Sequence, residues 1–107
     1  MTDEAQLNAG LAQLREKFLA RTRGEMAAIR AQAEAIRGGD AGAFATLEQL
    51  AHRIYGTGAT LGFDALSGCA GKIERLAEAA KKAAAVDPQT LLRLESYLGE
   101  LEEQLKT

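Results

Sequence analysis

Tryptophan is absent, and three phenylalanines with two tyrosines make up the whole aromatic content of this 107-residue chain. Alanine and leucine abound instead, which favours helix over sheet by intrinsic preference. A lone cysteine, Cys69, excludes an internal disulfide; it falls at an apolar position of a helical pattern and reads as buried filler. No apolar run approaches the ~18 residues of a membrane span, and the start, Met1-Thr2-Asp3-Glu4-Ala5-Gln6, lacks the basic and apolar regions of a signal peptide. A cytoplasmic location is the expectation. Charge of one sign is missing too: 13 basic against 15 acidic side chains leave a formal charge of -2, no general electrostatic reason to bind nucleic acid or an anionic membrane. One histidine and one inward cysteine, on different helices, make no usual metal-ligand set, so no metal site is expected.

What is present is helical periodicity, over a length that suits one compact domain spanning residues 1–107. Leu7, Leu11, Leu14 and Phe18, then Met26, Ile29, Ala33 and Ile36, recur at spacings of three and four. Arg21-Thr22-Arg23-Gly24 weakens the middle of that stretch, so a short lead-in helix is predicted to run into, or kink against, a longer second one. Gly38-Gly39-Asp40 ends the pattern, with Asp40 as N-cap of a helix over about Ala41 to Thr60 that stops near Gly62. Phe63-Asp64 leads into a third helix with Leu66, Cys69, Ala70, Ile73, Leu76, Ala77 and Ala80 inward, and the alanine-rich stretch from Ala77 to Val86 is expected to fray. Asp87-Pro88 restarts the chain as cap and first helical residue, followed by an unbroken stripe from Leu91 through Leu94, Leu98 and Leu101 to Leu105. The fold class is all-α: an antiparallel, up-down-up-down four-helix bundle with a short or kinked N-terminal lead-in helix.

His52 is the single histidine, and Gly56 lies one turn beyond it. Glycine costs roughly 1 kcal/mol against alanine inside a helix, so its presence needs a reason. At 100° per residue, Phe44, Leu47, Ala51, Ile54, Gly58 and Leu61 share one stripe, while His52 and Gly56 lie well away from it. The imidazole therefore faces water, and the missing Cβ beside it would let another molecule's backbone approach the ring. A neutral imidazole, with a reference pKa of about 6.5, is a good nucleophile near neutrality. Gly58, on the inward stripe, is explained by close helix approach. Gly56-Thr57-Gly58 with Gly62 has neither the dinucleotide nor the P-loop spacing, and no strand precedes it.

Most of the chain, and most densely the stretch from Leu50 to Leu76, resembles the histidine-containing phosphotransfer (HPt) domains of bacterial multistep phosphorelays. Ala51-His52, Ile54, Gly56 and Gly62 match the family's pattern, and Leu66 and Ile73-Glu74 stand at its spacing; Gly38-Gly39-Asp40 resembles the turn before the phosphorylated helix. The resemblance implies a shuttle, in which His52 accepts a phosphoryl group from a receiver-domain aspartyl phosphate and passes it to another receiver aspartate. It implies a phosphocarrier without ATP-dependent kinase activity, with Gly56, Tyr55, Arg53, Gln49 and Ala59 contacting the partner. The chain would bind no cofactor of its own, Mg²⁺ being brought by the receiver. Response-regulator receivers, and a hybrid histidine kinase, would be its partners; a monomer is expected.

One departure stands out: the family commonly has lysine three residues after the histidine, and this chain has Tyr55. A phenol cannot neutralise charge at neutral pH but can donate one hydrogen bond. Arg53, or Arg21, Arg23 or Arg30 from the arginine-rich helix, are the candidate cations. The departure keeps a second reading open, a non-catalytic helical adaptor that docks receivers without efficient transfer. A kinase dimerising domain fits less well, since those domains usually place an acidic residue after the histidine and proline at plus four, where Arg53 and Gly56 stand.

Overall fold

The computed structural model describes residues 3–83 and 86–106. Among these the chain forms four helices, α1 (Asp3–Arg37), α2 (Ala43–Thr60), α3 (Asp64–Ala83) and α4 (Pro88–Leu105), with no strand. Cross-helix contacts climb one helix as they descend the next. Arg15 reaches Leu61 and Glu25 reaches Arg53 between α1 and α2; Ser67 meets Tyr55 and Lys81 meets Glu48 between α2 and α3; Arg23 meets Leu105 and Arg37 meets Glu95 between α1 and α4. The apolar stripes converge on one core whose largest fully buried side chains include Phe44, Ile29, Ile36, Leu47, Ile54 and Ile73, closed by the leucines of α4.

α1 corrects the expected lead-in helix. It runs unbroken for 35 residues through Arg21–Gly24, almost twice the length of the 18-residue α2. The glycine cost is outweighed by packing on either side, since Phe18, Thr22 and Ile29 are all buried against the bundle. Thr22 enters the core without an orphaned hydroxyl, donating to the Phe18 carbonyl at 2.8 Å. The stripe over-reaches the core at its start: Leu7 and Leu14 are exposed, because the shorter neighbours give out near the level of Arg15, whose Nε donates to the Leu61 carbonyl at 2.8 Å. The molecule is accordingly long, 56 × 23 × 18 Å.

Both glycine stops take the left-handed conformation that ends helices. Gly39 (φ +100°) follows α1 with the Asp40 amide bonded back to Ala35, and Gly62 (φ +86°) follows α2 with the Phe63 amide bonded back to Gly58 at 2.8 Å. The start of α2 is a second correction. Asp40 does not cap the helix; its Oδ1 accepts from the Gly42 amide at 3.0 Å, and the chain tightens through successive short turns before α2 begins at Ala43. Asp87 caps α4 as expected, accepting from the Thr90 amide at 2.9 Å with Pro88 in the first turn. Of the stretch expected to fray, helix persists to Ala83, while residues 84–85 lie outside the described residues.

α1 and α4 are tied by ions as well as by core. Arg30 binds Glu95 at 2.7 Å and also grips Glu102, and Arg37 reaches Glu95 at 3.0 Å. The Arg30 hydrogen bond, and then the charges of Arg30 and Arg37, hold the Glu95 carboxyl below its usual range; the Thr90 amide and hydroxyl do the same for Asp87. Carboxyls with depressed folded-state pKa contribute stability that is present above their unfolded value and lost as pH falls through the folded one. The thermal midpoint should therefore decline as pH is lowered from about 5 to about 3. In Glu95→Gln it should start lower at neutral pH and fall less steeply on acidification, as thermal melts followed by circular dichroism would record; an unchanged acid slope would remove Glu95 from the account.

Candidate functional site

α2 buries Ala51, Ile54 and Gly58 and leaves His52 outside, its side chain 71% exposed. The inward stripe fixes this orientation, because residues beside the buried positions at 100° intervals have no core left to enter. Gln49, Gly56 and Ala59 are exposed along the same face at helical spacing, and His52, Arg53, Gly56, Thr57 and Thr60 line one shallow, open concavity. A Cβ built on Gly56 meets nothing within 4 Å. The glycine therefore serves no contact inside the bundle, and what it leaves is room beside the ring.

The imidazole is held from one side. His52 Nδ1 lies 2.9 Å from Oε1 of Glu74 on α3, whose side chain is only 22% exposed. A carboxylate has no hydrogen to give, so Nδ1 is the donor and, in the neutral ring, Nε2 keeps the lone pair. Nε2 is the ring nitrogen left without a partner among the described residues, on a side chain that lines one open concavity with Gly56. Sequence reading placed Ile73-Glu74 at a matching spacing but gave Glu74 no role; across 22 residues and two helices, only the packing of α3 on α2 brings the pair together.

A family model of the Hpt domain matches residues 13–104. The chain belongs to the Hpt family. Hpt domains carry phosphoryl groups in phosphorelays, where they meet receiver domains and kinases, and they are carriers rather than kinases. No curated protein and no solved structure matches the chain. The bundle of this Hpt domain includes, among the described residues, no helix long and apolar enough to cross a membrane and no cluster of three or more His, Cys, Asp or Glu that would hold a metal ion.

The arginines considered for the phosphate are mostly committed elsewhere. Arg53 leans away from His52 toward α1 and binds Glu25 at 3.2 Å; Arg21 binds the same carboxylate at 3.0 Å. Arg23 donates to the Leu105 carbonyl at 2.9 Å, and Arg30 is taken up by Glu95 and Glu102 on α4. Tyr55, 42% exposed, lies against α3 where Gly71 makes room: a Cβ at Gly71 would come within 2.8 Å of the tyrosine ring. The Ser67 hydroxyl donates to the Tyr55 carbonyl at 2.8 Å and fixes that register. Gly58 performs the close approach expected of it, with Ser67 and Phe18 at 3.4 and 3.5 Å from its would-be Cβ. Cys69 is buried, and burial followed by the nearby Glu100 charge pushes its thiol up, away from the reactive thiolate.

Proposed function

We propose that this Hpt domain is a phosphorelay intermediate, with His52 taking a phosphoryl group from a receiver-domain aspartyl phosphate and passing it to the aspartate of another receiver. The observation that carries the reading is the pair His52 Nδ1–Glu74 at 2.9 Å, on a largely exposed ring that lines one open concavity with a glycine that has nothing to pack against. Nε2 attacks phosphorus with its lone pair as the bond to the aspartyl oxygen breaks, and the receiver carboxylate leaves with that electron pair. The ring becomes a phosphoimidazolium whose Nδ1 keeps its hydrogen, bonded to Glu74, so no external base is needed, and the positive ring faces a carboxylate. Transfer onward reverses these steps.

Phosphoryl transfer demands in-line positioning and charge neutralisation more than covalent help from the protein. On this reading Mg²⁺ belongs to the receiver, and Gln49, Arg53, Tyr55, Gly56 and Ala59 form the surface on which it docks. The chain would act as a monomer in the cytoplasm. The neutral Tyr55 favours a second reading, an adaptor that docks receivers and transfers little. Incubation with a phosphorylated receiver and Mg²⁺ separates the two: acid-labile, base-stable label should move to this chain within the encounter. Binding with no label on the chain would leave only the adaptor.

Gly56 offers a test with opposite signs in its two readouts. Because open space surrounds it, Gly56→Ala should stabilise the fold by about 0.5–1 kcal/mol. Gly56→Leu should keep the fold and lower the transfer rate at least ~30-fold, since a bulky side chain at the centre of a docking surface costs about 2 kcal/mol or more. Thermal melts and transfer assays on the same samples check both, and full transfer by Gly56→Leu would mean that the receiver does not approach there.

A further inference from the structure

We infer that Arg75 on α3 supplies the positive charge that meets the phosphoryl group on His52, across the ring of Tyr55; the inference rests on the phosphorelay reading above. A phosphoryl group on Nε2 brings between one and two negative charges to a rim where the Glu74 carboxylate already sits 2.9 Å from the other ring nitrogen. The other cations of α2 and α3 are each occupied. Arg53 on α2 binds Glu25, Lys81 on α3 binds Glu48, Lys82 binds Glu78, and Lys72 binds Glu100. Arg75 forms no hydrogen bond or ion pair with any described residue, and it lines an open groove with Lys72, Leu76, Ala79, Arg93 and Tyr97.

Its position follows from the way α2 and α3 face each other. His52 and Tyr55, one turn apart on α2, are answered on α3 by Glu74 and Gly71: the imidazole bonds to Glu74, and the phenol ring lies over Gly71. Arg75 follows Glu74 directly and stands one turn beyond Gly71. A Cβ at Gly71 would lie 2.8 and 2.9 Å from two ring carbons of Tyr55 and 3.3 Å from Nη1 of Arg75. Ring and guanidinium thus converge on a single point above a backbone that carries no side chain. Tyr55 acts there as a wall along which the arginine lies, and the planar fork of the guanidinium suits two phosphoryl oxygens at once. Arg75 makes and breaks no covalent bond; it offsets charge on the phosphoryl group that Nε2 carries.

The test is the partition of label between a phosphorylated receiver and the full chain in Mg²⁺, measured alongside thermal melting. Arg75→Gln should lower the ratio of phospho-His52 to phosphoreceiver roughly three- to tenfold with the melting midpoint unchanged, the range set by a charge-assisted contact at an exposed site. Arg75→Lys should keep most of the wild-type ratio, and adding Tyr55→Lys to Arg75→Gln should restore it. Arg93→Gln, which removes the other arginine of the groove, should leave the ratio at the wild-type value. An unchanged ratio in Arg75→Gln, or an equal fall in Arg93→Gln, would overturn the assignment while leaving the phosphorelay reading intact. A wild-type chain that takes no label overturns both.

Discussion

His52→Gln should abolish all acid-labile, base-stable label acquired from a phosphorylated receiver, and should do so without loss of fold. The side chain it replaces is 71% exposed and, among the described residues, hydrogen-bonds only to Glu74. Substitutions at such surface positions usually stay within about 0.5 kcal/mol, and glutamine can still hydrogen-bond to the same carboxylate. It has no nitrogen lone pair available for attack, because its amide nitrogen is delocalised into the carbonyl. Two inward nucleophiles do not offer a substitute. Cys69 is buried with its thiol pushed up, and the Ser67 hydroxyl is buried and spent on the Tyr55 carbonyl. Docking should survive the change, so a pull-down with the receiver separates lost chemistry from lost binding. Label persisting in His52→Gln would place the acceptor elsewhere.

The next largest effect belongs to Glu74. Removing it by Glu74→Ala deletes a hydrogen bond to a ring that turns cationic as the N–P bond forms, an interaction of a charged pair worth about 1.5–3 kcal/mol when shielded. With His52 this exposed, solvent screening favours the lower end of that range, so transfer should slow roughly tenfold. Glu74→Gln should fall between alanine and wild type, since an amide oxygen still accepts from Nδ1 but carries no charge. Both variants should melt close to wild type. Equal rates in all three proteins would mean that the 2.9 Å contact orients nothing that the reaction uses.

The parts of this molecule that were legible in its sequence are those written in short-range periodicity. The inward stripe of α2 set Ala51, Ile54 and Gly58 against the core, and that alone turned His52 and Gly56 to solvent. α4 was announced by cap, proline and leucine spacing, all local signals. α1 was misread at Arg21–Gly24 because propensity counts the cost of a glycine but cannot see Phe18 and Ile29 packing on either side of it. Asp40 was misread by a turn's length: its carboxylate bonds two residues on and tightens the loop, whereas a cap would have reached the helix amides. The site's second member was out of reach for a different reason. Glu74 meets His52, and Gly71 meets Tyr55, only through the register of α3 against α2, which no spacing within either helix encodes. The same register explains how a tyrosine fits where the family commonly has lysine, since Gly71 vacates the volume its ring fills.

The central claim is that Nε2 of His52, freed by the bond from Nδ1 to Glu74, carries the phosphoryl group. Phosphorus–nitrogen coupling in the magnetic resonance spectrum of ¹⁵N-histidine-labelled protein, phosphorylated by a receiver in Mg²⁺, tests it directly, because the chain holds a single histidine. Coupling should appear at Nε2, with Nδ1 still bearing its hydrogen. Coupling at Nδ1, or phosphorylated protein with no coupling to the imidazole at all, would contradict it.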